Sequence, residues 1–138
     1  MRAELRRLSD DGERGSAVVD FVLVSVLILG LLLAVLQVAV YVHVRNVVTA
    51  SAQEGARYAA NADVPSDAGA TRTVEIVGRA TSERTAAGLS CTSTEEVEAD
   101  SGLTLVVVRC TGAVPSLLAA LGNLLPLEVT GRAVKETA

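Results

Sequence analysis

Residues 21–44 read FVLVSVLILGLLLAVLQVAVYVHV and contain no Asp, Glu, Lys or Arg. At a rise of about 1.5 Å per residue this run makes a helix of roughly 36 Å. The hydrocarbon layer of a bilayer is roughly 30 Å thick, so the run is long enough to cross it with some tilt. A small soluble domain has no use for so long an uncharged helix. The flanks set a direction. Arg2, Arg6, Arg7 and Arg14 precede the run, whereas Arg45 and Arg57 lie close behind it. The excess of cations ahead of the span predicts an N-terminus inside and a C-terminus outside. The competing reading is a cleaved secretory signal, with Ala50-Ser51-Ala52 as its A-x-A site. The run is longer than a signal h-region of about 7–15 residues, and Arg45 interrupts it ahead of that site.

Composition narrows the function classes. The chain has 138 residues, and fewer than eighty follow position 62, so any external core is small. Half of the residues are apolar, but with two Tyr, one Phe and no Trp the apolar mass is aliphatic. The formal net charge is −4 and the basic residues form no stripe with aromatics, which argues against nucleic-acid binding. His43 is the sole histidine, no Cys, His and carboxylate spacing suits a metal, and no Gly-rich phosphate loop is present. No Ser-His-Asp or Cys-His set can be assembled from these residues, so neither an enzyme nor a cofactor is expected.

Just ahead of the run stands Asp20, preceded by Ala17-Val18-Val19. A carboxylate at the edge of a membrane span is costly and is by default a functional hypothesis. Its plain alternative is an interfacial carboxylate favoured by the positive end of the helix. The local sequence Gly15-Ser16-Ala17-Val18-Val19-Asp20-Phe21 resembles the processing site of type IV prepilins, and is most similar to the Tad (tight adherence, Flp) branch and its TadE-like members. Behind the span, Glu54-Gly55-Ala56-Arg57-Tyr58-Ala59 resembles a stretch of TadE-like proteins. The likeness covers residues 14–62.

The resemblance implies that a prepilin peptidase cuts between Gly15 and Ser16, leaving Asp20 fifth in the mature chain. The leader, residues 1–15, is charged and has no apolar core. Cleavage would free an α-amino group at Ser16, largely protonated at neutral pH. In a bundle of helices that ammonium needs a carboxylate partner, and Asp20 of the same or a neighbouring subunit supplies one. Most of the family carries Glu there, one methylene longer. The partners implied are the membrane, the peptidase, a major Flp-type pilin, other minor pilins and the pilus assembly platform, with no nucleic acid. The location implied is the bacterial cytoplasmic membrane, and the cell-surface pilus after assembly. The expected role is a minor pilin or pseudopilin of a Tad-type pilus or related secretion system. The alternative is a signal-anchored accessory membrane protein that never enters a filament.

The fold class expected is α+β. A transmembrane helix continues outside as a stem over 16–62, and a head of one or two helices and an antiparallel sheet occupies 63–138. No Pro interrupts 16–62, and Ala50, Ser51, Ala52, Gly55, Ala56, Ala59 and Ala60 make the outer half rich in small residues. These serve either plain helix propensity or close packing with copies and partners. Helical spacing predicts a second helix over 67–87 with Ser66 as N-cap, Glu75–Arg79 and Arg79–Glu83 pairs, and Gly88 as its stop. Residues 103–110 are rich in β-branched side chains and read as a strand. A hairpin pairing residues whose numbers sum to 201 sets Cys91 opposite Cys110 and Glu95 opposite Val106. An oxidising exterior favours a Cys91–Cys110 disulfide, and two reduced, buried thiols are the alternative. Pro115 and Ser116 open a short helix with a leucine face, for core or membrane surface. Alternation from Leu127 to Ala133 predicts a last strand.

Overall fold

The computed structural model describes residues 2–114 and 125–137, with side chains from residue 15 onward. The expected helix after Pro115 lies outside the described residues. Helix α1 covers Arg2–Ala60, α2 Ala68–Ala80 and α3 Glu83–Ala87. Strands β1 (Leu89–Val97), β2 (Thr104–Val114) and β3 (Leu125–Val134) follow and form one antiparallel sheet in the order β1-β2-β3. The protein is α+β, a long apolar N-terminal helix followed by small helices and a three-stranded sheet. Residues 1–37 and 38–138 form two compact units.

In the first unit the described side chains of α1 are exposed apart from the half-buried Leu33 and the buried Gln37, with Phe21 73% and Leu27 71% exposed. Such a helix, apolar all round, has no face that prefers water.

In the second unit α1 becomes one-sided. Val44, Val48, Ser51, Ala52, Ala56, Ala59 and Ala60 are buried, at the three- and four-residue steps of one helical face. They pack on the sheet face carrying Val106, Val108, Cys110, Val114, Leu127 and Val129. Each fully buried Val in this core contributes about 1.5–3 kcal/mol. The small residues of the stem are therefore consumed by the chain's own head. Of this stretch Ala50 stays exposed.

Strand β3 runs alongside the stem for its whole length. Tyr41 Oη donates to Pro126 O at 3.1 Å, Arg132 N donates to Gln53 Oε1 at 3.2 Å, and Glu136 N donates to Ala60 O at 2.8 Å. Ten extended residues span about 30 Å, close to the roughly 28 Å of helix from Tyr41 to Ala60. The match lets an unbroken strand and an unbroken helix stay in contact end to end.

The helix stops at Ala60, two residues short of the expected 62, because Asn61 turns back: its Nδ2 donates to Tyr58 O at 3.0 Å. Lys135 Nζ completes the cap, donating to Ala59 O at 2.9 Å, Asn61 O at 3.3 Å and Val64 O at 2.8 Å. The single helix expected over 67–87 is two. Ser82 turns extended and its hydroxyl accepts from Thr85 N, starting α3 afresh. Asp67, not Ser66, stands at the N-cap of α2, and the Ser66 hydroxyl donates to Glu95 instead. Arg79 pairs with Glu75 within α2, while Glu83, on the separate α3, makes no ion pair with it. Gly88 caps α3.

The β1–β2 register pairs Cys91 with Cys110 and Glu95 with Val106, as the sum of 201 requires. The turn between them closes with Gly102 at φ 67°, whose N–H donates to Glu98 O at 2.8 Å. This left-handed backbone suits only glycine at no cost. On the opposite sheet face the Arg109–Glu96 ion pair, 2.6 Å long, bridges the Thr94–Val107 rung and helps to leave Val107 1% exposed.

Candidate membrane-anchoring and assembly site

The anchor is built from length and the absence of charge. One described helix, Gly15–Ala60, is long and apolar enough to cross a membrane. The polar atoms of its inner half are handled locally, as hydrocarbon demands: Ser25 Oγ donates to Phe21 O at 2.7 Å. The exposed apolar residues between Val18 and Leu36 have no partner surface among the described residues of their own unit. Lipid is the medium that accepts such a surface, and the protein is a single-pass membrane protein.

Gly15, Ser16 and Asp20 all lie on α1 and are exposed. Ser16 and Asp20 are four residues apart, one turn of the helix, and share a face. A Cβ placed on Gly15 would meet nothing. Packing among the described residues therefore does not account for glycine at 15 or for a carboxylate at 20.

The stretch from Glu54 to Ala59 divides between two duties. Gly55 and Ala56 turn inward, where a Cβ on Gly55 would lie 2.1 Å from Thr73 Oγ1 and 2.6 Å from Gly69 O. Gly69 in turn faces Gly55 O and Ser93 Oγ, so α1 and α2 touch backbone to backbone. Thr73, wholly buried, places its hydroxyl 2.8 Å from Gly69 O and 3.3 Å from Ser51 O. Glu54, Arg57 and Tyr58 turn outward. The Arg72 guanidinium sits 5.5 Å from the Tyr58 ring centroid and also bonds Glu75 at 3.0 Å. Arg72 first, then Arg79, hold the Glu75 carboxyl below its ordinary pKa.

Cys91 and Cys110 are joined by a disulfide with a Cα–Cα distance of 4.1 Å. Both sulfurs are thus removed from nucleophilic chemistry. His43 stands exposed on α1, and among the described residues no three His, Cys, Asp or Glu are grouped to hold a metal. Sequence reasoning missed Gly69, Thr73, Gly131 and Lys135. Two of these carried a signal: a glycine inside a helical or strand pattern marks a close backbone approach.

Residues 15–57 match the model of the TadE-like protein family. The match begins at Gly15, includes Asp20, covers the whole apolar run and ends at Arg57, so the likeness is confined to the apolar helix and the first part of the stem. No curated protein and no solved structure matches the chain.

Proposed function

We propose that the chain is a minor pilin-like structural subunit of a Tad/Flp-type pilus or secretion system, acting by membrane insertion and helix packing without chemistry of its own. The observation that carries the reading is Gly15 and Asp20, neither demanded by packing, at the head of an exposed apolar helix within the TadE-like match. A prepilin peptidase of the bacterial cytoplasmic membrane removes residues 1–15. The four arginines ahead of the span hold that end in the cytoplasm, and the disulfide-bonded head lies outside. Asp20 then neutralises the new Ser16 ammonium, in its own or a neighbouring subunit, when the helix joins the major Flp-type pilin, other minor pilins and the assembly platform. N-terminal sequencing of the native protein is expected to start at Ser16. A start at Met1, or beyond Ala52, would overturn the reading.

One observation favours the alternative, a signal-anchored accessory protein outside the filament. The small-residue face of the stem is already occupied by its own head, which leaves less of it for bundling. Fractionation separates the two: the accessory protein stays with the membrane when pili are sheared off, and the minor pilin leaves with them.

A further inference from the structure

We propose that the free edge of β1 pairs antiparallel with the β1 of a second copy of this chain, Ser93 meeting Ser93 on the two-fold axis, so that two three-stranded sheets join into one. Both sides of the contact belong to the second unit.

The two edges of the sheet fare differently. In an antiparallel ladder successive residues aim their backbone N–H and C=O alternately at one neighbour and at the other. Lys135 N donates to Thr104 O at 2.8 Å, so the odd-numbered residues of β3 face β2 and the even-numbered ones face away. Those outward groups meet the stem, at Pro126 O, Arg132 N and Glu136 N. Across the sheet, Glu98 N donates to Leu103 O at 2.9 Å. By the same alternation Cys91, Ser93 and Glu95 aim their backbone groups away from β2. Among the described residues none of the three has a backbone partner on that side. Their serine and glutamate side chains are tied to Ser66 on the stem face, which leaves the edge itself unused. Such an edge is a template for another strand, and β1 carries neither the Lys nor the Pro that commonly blunts one.

The sequence of β1 suits its own copy. With Ser93 on the axis, Cys91 and the copy's Glu95 exchange N–H···O=C bonds. Thr92 falls opposite the copy's Thr94, a favourable cross-strand pair, and Glu96 falls opposite Ser90. Val97, 70% exposed in the single chain, is covered by the copy's Leu89. A parallel pair in register would set Glu95 and Glu96 against their equals, and like charges directly opposite are destabilising. The antiparallel pair sends the acidic residues to opposite ends, each toward the end where α3, with its exposed Arg84, leads into β1. Charge therefore selects the orientation.

This pairing does not depend on processing at Gly15. One strand pair buries less than the roughly 1,200–2,000 Å² of a stable interface, so a covalent trap is the suitable assay. Thr92 and Thr94 are both exposed. In the dimer they form a directly opposed pair with Cβ atoms about 4.5–5.5 Å apart. Full chains carrying Thr92→Cys and one tag, or Thr94→Cys and another, are mixed in detergent micelles and oxidised with the native disulfide intact. The mixture is expected to give a cross-linked dimer containing both tags. Each variant alone should give little, because its cysteine then faces a threonine. Adding Glu95→Pro to both chains removes an outward N–H that no strand of the same chain uses, and should abolish the cross-link while leaving the thermal melt close to its former midpoint. Equal yields in all three samples, as a dimer held by the apolar helices would give, would overturn the inference. So would a mixture without cross-link, or a cross-link that survives Glu95→Pro. Should the proline lower the melt, the comparison of mixed and separate cysteine variants decides by itself.

Discussion

A methyl group at position 131 would lie 2.3 Å from the backbone of Ala52, and one at position 55 would lie 2.6 Å from the carbonyl of Gly69. Neither obstacle is a flexible side-chain tip, so neither can step aside without moving an element. We expect Gly131→Val to reach or exceed the upper end of the usual overpacking cost, about 1–3 kcal/mol. A thermal melt followed by circular dichroism should show a clearly lowered midpoint, and an unchanged one would refute the packing. Gly30, where a Cβ meets nothing, is the built-in control. Glycines at 69 and 131 were legible as interruptions of a pattern, but the partner each one makes room for was not. That information lies in a contact between residues far apart in the chain. Lys135 was hidden more deeply, since three of its acceptors are backbone carbonyls, which a sequence does not distinguish.

At the scale of elements, the hairpin of β1 and β2 holds the clearest success and the helical region the clearest failure of sequence reading. A hairpin pairing residues whose numbers sum to 201 sets the two cysteines opposite each other, and the sheet has that register. The disulfide closes a loop with a sequence separation of 19 residues, worth roughly 3 kcal/mol on the chain-entropy model. Denaturation with and without reductant should differ by that order. Thiol labelling of the unreduced, denatured chain should find no reactive cysteine, whereas two per chain would remove the bridge. Residues 67–87 misled because apolar spacing runs straight through the break. Ser82 competes for the backbone through its hydroxyl, and a periodicity count gives no weight to that local bond.

For the molecule as a whole, the sequence announced a membrane helix, a small α+β head and a TadE-like start, and concealed how head and stem share residues. The stem's alanines are equally suited to a neighbour's helix and to the chain's own sheet, so composition could not choose between them. Asp20 stands at the edge of the span and takes no part in the head's core, which makes it a test of assembly alone. Asp20→Ala should insert normally, because the apolar length is unchanged. It should then be missing from sheared pili, while Asp20→Glu is recovered there. Normal recovery of the alanine variant would refute the role of the carboxylate. The cap on the stem also has a practical bearing on labelling. Because Lys135 and the Glu136 amide are tied to the last turn of α1, the end of β3 is held beside Ala60, at the opposite end of the strand from Tyr41. A fluorophore attached just beyond Glu136 would report on that end of the head and on the last turn of the stem together, provided the attachment leaves that lysine in place.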